Sequence, residues 1–361
     1  MTKTNLYIDL NVLQTVPSSN INRDDTGAPK TALYGGVTRA RVSSQSWKHA
    51  IRLAFKEEHI AGTRTKEAAK LLVAALQARD TGLDEDSALS KTVEIFDATG
   101  SGKNKIKLDK NNETKALLFI SPGQINKLAE YAVNNQELDK KEIQRILKGD
   151  QSLDLALFGR MVADNPELNV EAASQVAHAV STHEVVPEYD YYTALDDMQA
   201  DDTTGAAMLG TIDFNSATLY RYANVNVREL IANLNESDAI EGIKTFIKQF
   251  LLSMPTGKQN AFANKTLPSY VMVTLRTDTP VNLVSAFEKP VTSHDGYVAP
   301  SIQRLEDEYQ STSDFVEKPM ANFVLSKTAS QVGEKVTNLD DLVEKVAAAL
   351  TKAVQDENTN D

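Results

Sequence analysis

The sequence predicts an α+β fold in which a sheet is interrupted by a long helical insertion. Three observations carry this. Residues 5–13, 217–227 and 270–275 alternate polar and apolar side chains or run apolar over strand length, as strands do. Residues 237–252 repeat apolar side chains at the 3.6-residue period of an amphipathic helix. Between the first two strands, residues 60–182 are dominated by helical patterns such as KEAAKLLVAALQAR and EAASQVAHAV. The order strand, helix, insertion, strand, helix, strand suits a split βαβ, ferredoxin-like core.

Each element has local grounds. In 5–13, Leu6, Ile8, Leu10 and Val12 share one face, and Tyr7, Asp9 and Asn11 the other. PSSNINRDDTGAPK, with Pro17, Gly27 and Pro29, reads as a polar loop. Residues 44–58 read as a helix buried through Trp47, Ala50, Ile51, Ala54 and Phe55, with Ser43 or Ser44 as its N-cap. The polar run ATGSGKNKIKLDKNNE breaks the helical insertion. Residues 184–213 have no helical period and read as an extended hairpin or loop. In 217–227, Leu219, Ala223, Val225 and Val227 share a face with Arg221. PTGKQNAFAN turns between the 237–252 helix and the strand YVMVTL, and a last helix around 339–352 precedes an acidic, frayed tail, QDENTND.

Composition narrows the function classes. The chain has no cysteine, which excludes disulfide frameworks and thiolate metal sites. No apolar run approaches the ~20 residues that span a bilayer, and the first residues lack a signal peptide's apolar core. A cytoplasmic chain without a membrane partner is expected. The net charge of −12 is the wrong overall sign for a nucleic-acid binder, so such a role must rest on a local patch.

GGVTRARVSSQSWKHAIR, residues 35–52, is such a patch. Gln45, Lys48, Arg52 and Lys56 fall away from the Trp47 stripe, and Arg39 and Arg41 share one face of an extended segment. Serines at a helix start leave backbone N–H groups for a phosphate. The plainer reading is a solvated basic helix face. Lys258 in PTGKQNAFAN fits an anion-holding loop or an ordinary turn. The tyrosines of YDYYTALDD fit stacking on bases or one face of a buried hairpin.

Other motifs carry less. TGSGK, 99–103, is not a phosphate-binding P-loop: Asp97 stands where its first glycine belongs, and Asn104 follows the lysine. A flexible basic loop with Lys103, Lys105, Lys107 and Lys110 is expected there. His178 and His183 are five apart, which is not a helical metal pair, so no metal site is expected from them. Asp24 and Asp25 in NRDDTG form either a metal-binding or acid–base pair or a turn.

NRDDTG, YGGVTRARVSSQSWKHAIR, LDLALFGRM, HAVSTHE, DYYTALDD, LYRYANVN, PTGKQNAFAN, SAFEKPV and DGYVAPSIQ together resemble the backbone subunit of the type I-E CRISPR surveillance complex, Cascade, in the RAMP superfamily. The resemblance runs in order from residue 5 to about 305. It implies a modified RNA-recognition-motif palm (1–60 and 214–361), a helical finger insertion (61–183) and a β-hairpin thumb (184–213). It implies a non-catalytic protein without cofactor or metal. Copies would stack head to tail along CRISPR RNA and present it to target DNA, beside other Cascade subunits and a recruited helicase-nuclease. Carried over residue by residue, it places Arg23, Arg41, Ser43, Ser44, Gln45, Lys48, Arg52, Lys258 and Gln259 on the RNA, and Tyr191, Tyr192 and Leu195 as the thumb's wedge. The alternative is a metal-dependent endoribonuclease of the type III backbone kind, using Asp24 or Asp25.

Overall fold

A computed structural model describes residues 5–102, 104–162, 165–194, 198 and 208–358. In chain order, β1 is Tyr7–Ser19, β2 Thr31–Tyr34, β3 Val37–Val42 and α1 Ser44–Glu57. Then come β4 Thr63–Thr65, α2 Ala68–Arg79, α3 Glu85–Asp97, β5 Leu118–Ile120, α4 Pro122–Asn134, α5 Lys140–Lys148 and α6 Leu153–Phe158. The chain continues through β6 Ser174–Val176, β7 Ala179–Ser181, β8 Glu188–Ala194, β9 Met208–Asn226, α7 Val227–Asn233, α8 Glu236–Leu252 and α9 Gln259–Phe262. It closes with β10 Tyr270–Arg276, α10 Val298–Ser311, β11 Ala321–Ser326, β12 Glu334–Lys335 and α11 Leu339–Asn358. The fold is α+β, as the sequence predicts.

The chain divides into two compact units. The first comprises Met1–Ile51, Val176–Asn224 and Lys244–Asp361. Its sheet runs β12-β11-β10-β1-β9-β7-β3-β2. β1 is the antiparallel partner of β10, with Leu10 opposite Val273. It is buried on both faces, so Asp9 and Asn11 lie inside, and their polar atoms must be paired. The Tyr220 hydroxyl donates to Asn11 Oδ1 (2.7 Å) and the Tyr222 hydroxyl to Asp9 Oδ1 (2.7 Å). Arg276 Nε stands 3.3 Å from Asp9 Oδ2. Burial nevertheless pushes the Asp9 carboxyl up to about 6.

The second unit comprises Arg52–Gln175 and Val225–Ile243. Helices α2 to α5 surround a core that includes Leu72, Leu76, Phe96, Leu128 and Ile143. Capping fits the boundaries: the Ser121 hydroxyl and the Gln124 side chain close a reciprocal box at the start of α4. The 225–243 segment belongs here by its contacts, within the 214–361 stretch that the resemblance implies as palm.

Several expectations are corrected. β1 runs to Ser19, so Pro17 lies in a strand rather than in the loop. β2, β3, α10 and β11 were not among the predicted elements. The last helix continues to Asn358, so the tail's first residues are helical.

Candidate nucleic-acid interface

Four segments of the first unit are tied together around the start of α1. Ser43 is the N-cap: its Oγ accepts from the Ser46 N–H at 3.3 Å. The Ser43 N–H donates to Asn22 Oδ1 at 2.8 Å, which joins the helix start to the 20–30 loop. Asn20 Nδ2 donates to Gly27 O and to Asp213 O, joining that loop to the base of a hairpin. Gly257 passes so close to the same loop that a Cβ there would meet Ile21 O at 2.7 Å. This is why glycine precedes Lys258. Phe214 of the hairpin base and Phe262 of α9 have ring centroids 5.6 Å apart.

α1 is locked by an unusual buried cation. The Arg221 guanidinium lies 3.8 Å from the Trp47 ring centroid and 4.6 Å from that of Phe250. It donates to Gln14 Oε1 and to the Phe250 carbonyl. Burial pushes its pKa down to about 9.

Around this frame the predicted residues separate. Arg23 is exposed on the 20–30 loop, where its backbone bridges to Pro29. Arg41 is half-buried; its Nε donates to Thr31 O (3.0 Å), and its Nη1 meets His178 Nδ1 at 3.1 Å. Ser44 and Gln45 form the first turn of α1, where backbone N–H groups have no partner within the helix. Lys48 is half-buried, and burial lowers its pKa. Lys258 takes a left-handed conformation, φ 53°, as the N-cap of α9, followed by half-buried Gln259. Such a φ costs a non-glycine residue about 1 kcal/mol or more.

Two basic residues leave the expected surface. Arg52 belongs to an internal ion pair, with Nε 2.8 Å from Asp154 Oδ2 and the carboxylate fully buried. Its guanidinium also covers the Phe119 ring at 4.6 Å. Arg39 is fully buried and donates to the carbonyls of Tyr34, Ser181 and Phe287. Helical and strand spacing place both residues correctly, but buried acceptors capture their side chains.

The hairpin pairs Glu188–Ala194 with Met208–Phe214 in register. Tyr191 and Tyr192 point to opposite faces, because successive strand residues alternate. Tyr192 lies against its cross-strand partner Gly210, where a Cβ would meet the ring at 2.5 Å. Tyr191 is 63% exposed and shares its face with Tyr189, 68% exposed. The exposed aromatic pair is therefore Tyr189 and Tyr191; period-two spacing could have revealed it. Leu195 lies outside the described residues, as does Lys103. Asn22, the link to Ser43, carried no signal in the sequence.

Asp24 Oδ1 accepts from the Thr26 N–H and hydroxyl and from the Ala28 N–H. Its pKa is lowered, chiefly by the Thr26 hydroxyl. This is the turn-forming alternative. Among the described residues, no group of three His, Asp or Glu is placed to hold a metal, and no helix is long and apolar enough to cross a membrane.

No curated protein matches the sequence. A chain of a solved structure titled "CRISPR RNA-guided surveillance complex, pre-nicking" is 30% identical, with a TM-score of 0.82 over 95% of this chain and 100% of that one. A second, titled "CRISPR RNA-guided surveillance complex", is 27% identical, with a TM-score of 0.73 over 95% and 99%. A family model described as "CT1975-like protein" matches residues 8–349. The likeness thus spans both compact units and the hairpin, and the chain belongs to the CT1975-like family.

Proposed function

We propose that this chain is a non-catalytic backbone subunit of a type I-E CRISPR surveillance complex. It grips CRISPR RNA by its phosphates, stacks head to tail with copies of itself, and leaves bases free to pair with target DNA. The sheet unit serves as an RNA-recognition-like palm, the helical unit as a finger and the β8–β9 hairpin as a thumb. Other Cascade subunits and a recruited helicase-nuclease complete the assembly in the cytoplasm.

The observation that carries this reading is the convergence of the α1 start, the 20–30 loop, the Gly257–Lys258 turn and the hairpin base. Together they offer backbone N–H groups at a helix start and the cations Arg23, Arg41, Lys48 and Lys258. A phosphate grip without base readout suits a scaffold whose specificity comes from Watson–Crick pairing. Arg52 is removed from the proposed contacts, and Tyr189 takes the place of Tyr192 beside Tyr191.

Co-expression with a CRISPR array tests the proposal. The purified protein should carry RNA of guide length, seen as raised absorbance at 260 nm. Protein free of RNA under these conditions would overturn it. Incubation of the assembly with complementary RNA and Mg²⁺ should give no cleavage; regular cuts lost in Asp25→Ala would return the endoribonuclease reading.

A further inference from the structure

LDLALFGRM, residues 153–161, contributes nothing to the proposed RNA grip, yet it builds a distinct feature of the helical unit. Gly159 takes φ +74°, and a Cβ there would meet Val170 O at 2.8 Å. The chain thus turns sharply and pairs Arg160 with Val170. The buried Arg160 guanidinium donates to the carbonyls of Leu168, Phe119 and Leu147 and fixes the wall. The result is an open cavity of about 560 Å³ between this turn and the β4–β5 pair. Its lining includes two exposed apolar side chains, Met161 (83% exposed) and Leu117 (58%), with Arg64 and Glu171.

The sheet unit carries the matching projection. Phe315 is 90% exposed on the short segment after α10. The segment is held rigidly: the Phe315 and Val316 N–H groups donate to Thr312 O, the Glu317 N–H to Asp278 Oδ2, and Arg276 Nη1 to Glu317 O. Its neighbours Asp314, Glu317 and Lys318 are exposed and charged.

We propose that Phe315 of one copy seats in the Met161–Leu117 cavity of the next. This rests on the reading that copies stack along an RNA. A preorganised aromatic entering a pocket lined by a flexible methionine is the usual core of a protein–protein contact. The charges complement one another: Asp314 and Glu317 suit Arg64, and Lys318 suits Glu171. Projection and cavity are different surfaces, so the contact is heterologous and propagates as a chain of copies rather than closing a two-fold dimer. A nucleobase is the poorer occupant, because of the two rings that line the cavity Phe119 is only 3% exposed and Phe158 is half-buried, so neither presents an open face for stacking.

The absence of cysteine permits a direct test. Phe315→Cys and Met161→Cys proteins, mixed on an RNA long enough for two copies, should form a disulfide-linked dimer under mild oxidation. Neither variant alone should do so. Phe315→Ala should weaken cooperative loading of a second copy at least about tenfold, while binding to an RNA that holds one copy stays unchanged. Asp314→Arg and Arg64→Asp should each weaken cooperativity and restore it when combined. No trans disulfide, together with undiminished cooperativity in Phe315→Ala, would overturn the proposal. A Met161→Glu defect on single-copy RNA without any Phe315→Ala effect would reassign the cavity to nucleic acid. If the wild type binds no RNA, the backbone reading itself has failed, which is a separate outcome.

Discussion

Single residues show how burial redirects a charge. Asp154 is fully buried and accepts from Arg52, the Gly62 N–H and the Ser152 hydroxyl. Removing Arg52 strands a buried carboxylate. Arg52→Ala should therefore cost about 3 kcal/mol in denaturant unfolding and leave the salt dependence of RNA binding unchanged. A lowered salt slope with intact stability would return Arg52 to the RNA. Asp9 presents the opposite case: its carboxyl is raised to about 6, from an ordinary value of 3.8, by burial. A raised folded pKa favours the folded protein while the group is protonated. That contribution is complete below about pH 4 and disappears as pH rises through about 6. Two units correspond to roughly 3 kcal/mol. The stability of wild type relative to Asp9→Asn should fall by about that amount between pH 4 and pH 7; a flat difference would show that Arg276 and Tyr222 hold the carboxylate ionised.

At the scale of elements, the hairpin and α1 are built for different tasks. The hairpin exposes Tyr189, Tyr191 and Leu209 on one face. Replacing residues 188–213 by a short turn should leave the sheet folded, because buried Val185 and His183 precede the cut. It should abolish multi-copy assembly on guide RNA, measured by native mass spectrometry. Full-length assemblies from this variant would remove the thumb role. α1 is anchored by Trp47 under Arg221, so Lys48→Ala should weaken RNA binding while the helix stays folded, measured as guide-RNA affinity beside far-UV circular dichroism. Helix type, start and buried stripe were legible in the sequence because the 3.6-residue period and the serine cap are local signals. The partner of Arg52 was not, because Asp154 lies 102 positions away.

At the scale of the whole molecule, the proposed role requires an acidic chain of net charge −12 to hold RNA through a local basic patch. Each phosphate contact to a single strand adds about 0.7 to the log–log salt slope. With Arg23, Arg41, Lys48 and Lys258 as contacts, the slope per protomer should be roughly 3. Changing all four to Ala should remove nearly all of it, equally for guides of unrelated sequence. A slope untouched by the four substitutions, or a loss confined to one guide, would place the RNA elsewhere.

The sequence by itself determined the α+β class, the helical insertion, the non-helical character of 184–213 and the helix that starts at Ser43, because periodicity and capping act over a few residues. Only the tertiary structure decided which cations stay at the surface. Arg39 and Arg52 read as available charges along the chain, and each is captured by carbonyls or a carboxylate brought close by folding. It likewise decided that Tyr192 covers Gly210 while Tyr189 faces outward, since a strand's pairing register is set by its partner. Burial is a property of the packed chain: a buried charge is held by whatever acceptor the fold supplies, and sequence spacing does not record that acceptor.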